Sequence, residues 1–141
     1  MILVGGDEVA AFVERQLGIK ISEPKTVFGF VSDDKRPLCA VVANDYTGAN
    51  VELTIVANPG GITRGVLRHL ANYAFGKLGC RRITVRIKSR NKLALKMAER
   101  FGFKYEHVAK HFFEDDDAVV FRMLKQDCAW LPRAPDRGLR I

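Results

Sequence analysis

The sequence predicts one α/β (α+β) domain, in which a single mixed, mostly antiparallel sheet carries helices on both faces. Two observations lead to this prediction. Strand-like segments alternate with helical segments in the middle of the chain, and pairs of strand-like segments joined by polar turns lie towards both ends. Hairpins pair antiparallel, whereas a strand–helix–strand unit brings parallel strands together, so the sheet must be mixed.

The first half of the chain predicts one helix and three strands. Apolar residues at helical spacing predict a helix with Asp7 as its N-cap, ending near Leu17 because Gly18 follows. A high content of β-branched and aromatic residues then predicts strands over 26–31, 38–43 and 51–57. The first two of these strands are joined by a polar turn, so we expect them to form a hairpin.

The second half of the chain begins with a glycine-rich turn that leads into a long helix, which ends before Gly79. The apolar side of that helix carries Ile62, Val66, Leu70, Ala74 and Leu78. Alternating residues predict a strand over 81–88, and apolar residues at helical spacing predict a short helix after Asn91, with Leu93, Met97 and Phe101 along it.

The chain ends with a predicted hairpin and a tail. Residues 103–112 and 118–124 predict two strands around the acidic turn at 114–117. We place the domain at residues 1–128 and a basic C-terminal tail at residues 129–141.

Composition and charge limit the class of protein. Of the 141 residues, 48% are hydrophobic and 28% are charged, which is typical of a globular chain. The net charge of +7 at pH 7 favours an anionic partner such as a nucleotide cofactor, a nucleic acid or an acidic surface. No apolar run is long enough to span a membrane or to serve as a signal peptide, so we expect a cytoplasmic protein without membrane contact.

The cysteines predict no special chemistry. Cys39, Cys80 and Cys128 form no closely spaced pair, so we expect reduced thiols and neither a disulfide framework nor a zinc site. Basic neighbours of Cys80 would lower the pKa of its thiol.

The turn at residues 58–65 is the sequence feature with the clearest ligand chemistry. Glycines let the backbone approach a ligand closely, and the N–H groups of a helix's first turn point at bound phosphate. No Asp or Glu occurs from Leu53 to Ala98, whereas the same span is basic at Arg64, Arg68, Lys77, Arg81, Arg82, Arg86, Lys88, Arg90, Lys92 and Lys96. The turn is neither a Walker A loop nor a GxGxxG motif, and taken alone it is more often a plain connection between a strand and a helix.

Residues 51–124 resemble the GNAT superfamily of acetyl-CoA-dependent N-acyltransferases, and the preceding hairpin fits the two strands that come before in that family. The family's pyrophosphate loop, Gln/Arg-x-x-Gly-x-Gly/Ala, falls on residues 58–63, and its later Asn and Gly-Phe fall on Asn91 and on residues 102–103. The resemblance is nearest to small GNAT-like proteins often encoded by tailed phages. Asn58 and Thr63 depart from the loop pattern, and Ala98 stands where many members carry a Tyr that protonates the departing thiolate.

The resemblance implies that acetyl-CoA is the cosubstrate. We expect no metal site, since His107 and His111 have no carboxylate at metal-ligand spacing and His69 lies on a helix flank. The resemblance assigns the pyrophosphate to the backbone N–H groups of the turn and the pantetheine arm to the central strand, with an N–H donor to the thioester carbonyl near Val56. The implied cofactor-binding residues are Val56, Gly60, Gly61, Ile62, Thr63, Arg64, Gly65 and Asn91. Asn91 is equally expected as the N-cap of the helix that follows it.

Glu52 is the candidate catalytic residue. It is the only carboxylate on the predicted central strand, and in many GNAT proteins a Glu on this strand deprotonates the acceptor amine, directly or through water. A solvated strand-end residue, paired with Arg86 or Lys88, is an interpretation of equal weight.

Together these features predict an N-acetyltransferase, in which the neutral amine of a small molecule or a protein attacks the thioester directly. The alternative is a non-catalytic GNAT-fold binding protein that acts on a nucleic acid or a protein partner; Ala98, the short N-terminal region and the basic tail favour it. We expect only weak, nonspecific nucleic-acid binding, since the basic run at 81–92 lacks interleaved aromatic residues. The chain would act as a monomer or homodimer in the cytoplasm, that of the host if it is phage-encoded.

Overall fold

The computed structural model describes residues 2–4 and 6–132. Its seven strands are β1 Ile2–Val4, β2 Lys25–Val31, β3 Pro37–Asn44, β4 Asn50–Ala57, β5 Arg82–Lys88, β6 Lys104–Phe113 and β7 Asp116–Leu124. They form one sheet in the order β1-β2-β3-β4-β5-β7-β6, in which β4 and β5 are the parallel pair and the other neighbours are antiparallel. The predicted fold class is confirmed, and β1 is a strand that the sequence analysis did not predict.

The helices lie on both faces of the sheet, as predicted. They are α1 Asp7–Leu17, α2 Arg64–Ala71 and α3 Lys92–Arg100, and a short 3-10 helix follows β7 at Lys125–Asp127. α1 packs on one face and forms a small core with Val42 of β3. The larger core on the opposite face joins α2 and Ala98 of α3 to the neighbouring β3 residues Val41 and Ala43. β3 is therefore buried on both sides, which explains its continuous apolar sequence.

The start of α1 differs from the prediction. Gly6 is the N-cap, and it supplies no side-chain hydrogen bond, whereas Asp7 is the first helical residue. Asp7 and Glu8 in the first turn still interact favourably with the helix dipole. Gly18 ends the helix in a left-handed conformation (φ 63°), as the sequence indicated.

The long central helix is shorter and less regular than predicted. Thr63 is its N-cap, because its Oγ1 accepts a hydrogen bond from the N–H of Val66 at 3.1 Å, so Ile62 lies in the preceding turn. From Asn72 to Lys77 the chain forms a π-helical segment. This wider turn buries the consecutive residues Ala74 and Phe75.

The beginning of the predicted tail packs against the domain. Trp130 Nε1 donates a hydrogen bond to the carbonyl oxygen of Phe101 at 2.9 Å, and Trp130 and Leu131 contact the larger core. Residues 133–141 of the predicted tail lie outside the described residues.

All three cysteines are free thiols. Burial raises the pKa of Cys39 to about 11, and it also raises the pKa of Cys80. The expectation that basic neighbours lower the pKa of Cys80 is therefore wrong, because desolvation disfavours the thiolate.

Candidate active site

A cleft opens in the middle of the sheet where two parallel strands separate. β4 pairs with β5 only from Asn50 to Glu52, opposite Arg82 to Thr84. Beyond these pairs, a cleft of about 520 Å³ lies between the last five residues of β4 and the last four of β5. The end of α1 borders it on one face of the sheet, and α3 borders it on the other. A ligand in this cleft would therefore reach both faces of the sheet.

The backbone of β4 offers hydrogen-bond donors to the cleft, but not at Val56. Asn58 N–H donates to Leu38 O, and Val56 is opposite Ala40 in the same antiparallel register. Because hydrogen-bonding direction alternates along an antiparallel strand, the N–H of Val56 faces β3. The N–H groups of Ile55 and Ala57 face the cleft instead. The donor predicted near Val56 would therefore be the N–H of one of its two neighbours, and the Val56 side chain lines the cleft.

The glycine-rich turn is held tightly against β3. Gly61 N–H donates to Asn58 O at 2.7 Å, and the Asn58 side chain donates to Pro37 O at 2.9 Å. A Cβ atom at Gly61 would lie 2.0 Å from Leu38 O, so only glycine fits this position. Gly60 has φ 70° and open space around it. Asn58 therefore has a structural role in the turn.

The predicted cofactor-binding residues divide between two cavities. Val56, Ile62 and Asn91 line the cleft. A second pocket of about 630 Å³, between the turn and the β2–β3 connection, is lined by Gly60, Gly61, Thr63 and Gly65. Arg64 is exposed at the start of α2. The turn thus forms a boundary between the two cavities, and Ile62 is its point of contact with the cleft.

The first turn of α2 has free backbone donors. The hydrogen bonds of this region use the amides of Gly61, Val66 and Leu67. The N–H groups of Arg64 and Gly65 meet no acceptor within the described part of the chain, as expected for the start of a helix. They are suited to an anionic ligand such as phosphate.

The acidic turn between β6 and β7 organises the opposite rim of the cleft. Asp116 accepts hydrogen bonds from Ser89 Oγ at 2.6 Å and from the N–H of Arg90 at 3.0 Å, and these bonds lower the pKa of Asp116 to about 2. Asp115 pairs with both Lys88 and Arg90. The sequence indicated only a charged turn, because nothing in the local pattern shows that it meets residues 25 to 27 positions earlier.

Asn91 caps α3, since its Oδ1 accepts a hydrogen bond from Ala94 N–H at 3.2 Å. The spacing of the apolar residues Leu93, Met97 and Phe101 predicted α3 correctly. In the structure these three side chains line the cleft. Leu93 is largely exposed. An apolar wall of this kind is typical of a ligand site.

Glu52 lies at the closed end of the cleft and does not line it. The side chain is buried, with the residue 8% exposed, and it forms a close ion pair with Arg86 Nη1. The same nitrogen lies 3.7 Å from Asp45 Oδ2, and the guanidinium stacks on Phe112, with 4.8 Å from Cζ to the ring centroid. The expected pairing of Glu52 with Arg86 is present. The expectation that Glu52 is solvated is wrong, because the residue is buried.

The polar groups that line the cleft are neutral or positively charged. They are Gln16, Thr54, Arg86, Lys88, Arg90 and Asn91. Within the described residues, no Asp, Glu, His or Tyr side chain contributes to the lining, and Ala98 is part of the wall.

Neither a metal site nor a membrane span is found in the described part of the chain. Residues 2–4 and 6–132 contain no group of three His, Cys, Asp or Glu side chains placed to hold a metal ion. Over the same residues, every helix is too short or too polar to cross a bilayer.

Comparison with known proteins identifies the fold. No protein-family model matches the chain, and no curated protein sequence matches it. Among solved structures, a point mutant of the spermidine N-acetyltransferase SpeG from Vibrio cholerae aligns with a TM-score of 0.73 at 13% identity, covering 89% of this chain and 96% of that one. The same enzyme in complex with CoA and spermine aligns with a TM-score of 0.71 at 14% identity, again over 89% and 96% of the two chains. The predicted GNAT-like fold is confirmed.

Proposed function

We propose that this protein transfers the acetyl group of acetyl-CoA to the amine of an acceptor molecule. The observation that carries the proposal is the cleft between β4 and β5, where two parallel strands separate and leave backbone donors facing an apolar space. A fold neighbour at low identity is described as an N-acetyltransferase in complex with CoA and spermine, which supports the same chemistry here.

In the proposed complex, the pantetheine arm of acetyl-CoA lies in the cleft. Its amide groups take the place of a strand and accept hydrogen bonds from N–H groups of β4, such as those of Ile55 and Ala57. The N–H groups of Arg64 and Gly65 bind the pyrophosphate, helped by the dipole of α2 and the absence of acidic residues in its first turn. The tightly held turn positions these donors before the ligand arrives.

The reaction is direct attack by a neutral amine. The amine lone pair forms a C–N bond to the thioester carbonyl carbon, the C–S bond breaks, and the products are the N-acetylated acceptor and CoA. A β4 N–H that faces the cleft stabilises the oxyanion during attack. Because Glu52 is set back from the cleft, it takes the amine proton through water, and because no tyrosine lines the described cleft, water returns a proton to the thiolate.

The cofactor site is tested by a charge reversal at the start of α2. We expect Arg64→Glu to raise the dissociation constant of acetyl-CoA by about 10- to 100-fold, since a carboxylate would stand where the pyrophosphate binds. An acidic residue in the first turn favours the helix itself, so the fold should be retained. Isothermal titration calorimetry measures the affinity.

The matched control for this experiment is Lys77→Glu, which makes the same charge change at an exposed residue at the far end of the same helical segment. Its acetyl-CoA affinity should stay within about threefold of the wild type, as expected for a distant surface charge. Equal losses in both variants would show that only net charge matters, and an unchanged Arg64→Glu would remove the turn from the site.

The non-catalytic alternative makes a different prediction for nucleic acids. We expect duplex binding to be weak and to fall steeply between 50 mM and 200 mM salt, because contacts of scattered surface cations with phosphate depend on counterion release. Fluorescence anisotropy with labelled duplexes measures this. Tight binding of one defined sequence at physiological salt would favour the nucleic-acid-binding protein.

A further inference from the structure

We propose that the acceptor carries an oxyanion, a carboxylate or a phosphate, close to its amine, and that Arg86 and Lys88 bind this group. The inference rests on the proposed acetyl transfer and names the class of acceptor for it. It separates this protein from the polyamine named for its fold neighbour, because a polyamine carries only positive charge.

Arg86 and Lys88 lie on the acceptor side of the cleft. They are two residues apart on β5, so both side chains point to the face of the sheet that carries α1, whereas Ile87 between them packs towards the larger core. Both line the cleft, with side-chain exposures of 27% and 12%. Gln16 and Leu17 at the end of α1 border the same space.

The guanidinium of Arg86 has donors that remain unused. Its ion pairs with Glu52 and Asp45 both involve Nη1. Among the described residues its Nε and Nη2 donate no hydrogen bond, and stacking on Phe112 fixes the plane of the group. A guanidinium held in this way presents a fork that matches a carboxylate or a phosphate.

Lys88 adds a second cation at the rim of the same space. Its Nζ lies 2.9 Å from Asp115 Oδ1 and 5.7 Å from the ring centroid of Phe113. A Cβ atom at Gly18 would lie 3.5 Å from Nζ, which places the ammonium beside the end of α1. An ammonium has three N–H donors, so its pairing with Asp115 leaves further N–H donors for a ligand.

This arrangement also explains how an acceptor amine reaches Glu52. Arg86 contacts Glu52 on one side and faces the cleft on the other. An oxyanion bound to the free edge of Arg86 would hold the neighbouring amine near the closed end of the cleft, next to Glu52. The described cleft offers no carboxylate that would bind a second positive charge of a polyamine.

The test measures acceptor binding without turnover. The protein is saturated with CoA, and the dissociation constants of four amines are measured by calorimetry: β-alanine, β-alaninamide, 2-aminoethyl phosphate and spermidine. We expect the carboxylate or the phosphate to bind about 10- to 100-fold tighter than the matched amide and spermidine, as loss of a charged hydrogen bond predicts.

Variants assign the preference to the two side chains. Arg86→Lys keeps the charge but loses the fork, and Lys88→Met keeps the stem but loses the charge, so each should reduce the preference for the oxyanion about tenfold. Lys88→Arg keeps a positive charge at position 88 and should therefore retain the preference for the oxyanion. Lys110→Met is the matched control, since Lys110 is 77% exposed and pairs with Asp117 of the same acidic turn. CoA affinity and the thermal midpoint show that each variant is folded.

Each outcome decides between the alternatives. Tighter binding of β-alanine or of 2-aminoethyl phosphate supports the inference and identifies the oxyanion as a carboxylate or a phosphate. Equal or tighter binding of the amide or of spermidine overturns it, as does a preference that survives both variants. Release of the CoA thiol from acetyl-CoA is measured separately. Selective binding without acetylation of any amine would contradict the proposed transfer and leave the oxyanion site in place.

Discussion

Glu52→Gln is expected to lower kcat for the true acceptor by about 10²- to 10⁴-fold, while acetyl-CoA affinity changes by less than about twofold. The amide keeps the size of the side chain but cannot accept the proton of the attacking amine. In the wild type, kcat/KM should rise with pH until the base and the amine are both deprotonated. The variant should need a higher pH to reach a comparable rate. Steady-state rates between pH 6 and pH 10 measure both effects.

Asp45→Asn is the control for Glu52→Gln. Asp45 is the other carboxylate near Arg86 Nη1, but its side chain is 48% exposed and lies outside β4. Its loss removes a similar negative charge from Arg86 and should change kcat by less than about threefold, as expected for an exposed ion pair. If Glu52→Gln keeps full activity and the same pH profile, Glu52 serves only as the partner of Arg86.

Gly61→Asp is expected to abolish measurable acetyl-CoA binding and to lower the free energy of unfolding by about 1–3 kcal/mol or more. The reason is steric, since the new Cβ would lie 2.0 Å from Leu38 O and 2.9 Å from Asn58 O, both backbone atoms. Gly61→Ala should therefore reproduce both losses without adding charge. Chemical denaturation and calorimetry measure them.

Gly60→Ala provides the comparison within the same turn. Gly60 has a positive φ but no atom within 4 Å of a Cβ, so alanine should cost only about 1 kcal/mol of backbone strain. Its acetyl-CoA affinity should fall less than that of Gly61→Ala. Equal stability of Gly61→Ala and the wild type would contradict the close packing of the turn on β3.

Local patterns predicted most of the fold because each element depends mainly on its own residues. The alternation of apolar and polar residues predicted β5. Glycines and polar turns marked the ends of the helices, and two strand patterns joined by a polar turn indicated each hairpin. The N-caps were harder to predict. Gly6 caps α1 without any side-chain hydrogen bond, so composition gives no sign of it, whereas Thr63 caps α2 through its Oγ1.

The details of the site depend on contacts between distant residues, which a single sequence does not show. Whether the N–H of Val56 or of Ile55 faces the cleft depends on the register with β3. Burial of Glu52 follows from its position opposite Asn44 and from Arg86 on the neighbouring strand. Likewise, the sequence does not show that Gly61 lies so close to the backbone of Leu38 that no Cβ atom fits there.

The short pairing of β4 with β5 also affects how the molecule responds to force and heat. Three residue pairs at one end form the strand pairing between the half-sheet of β1 to β4 and the half-sheet of β5 to β7, so the sheet is unpaired at the other end of this seam. An extended ligand in the cleft would pair with β4 at that unpaired end and connect the two half-sheets there. Its binding energy would then appear as resistance to opening of the whole domain, and cofactor supply would set how long the folded protein persists.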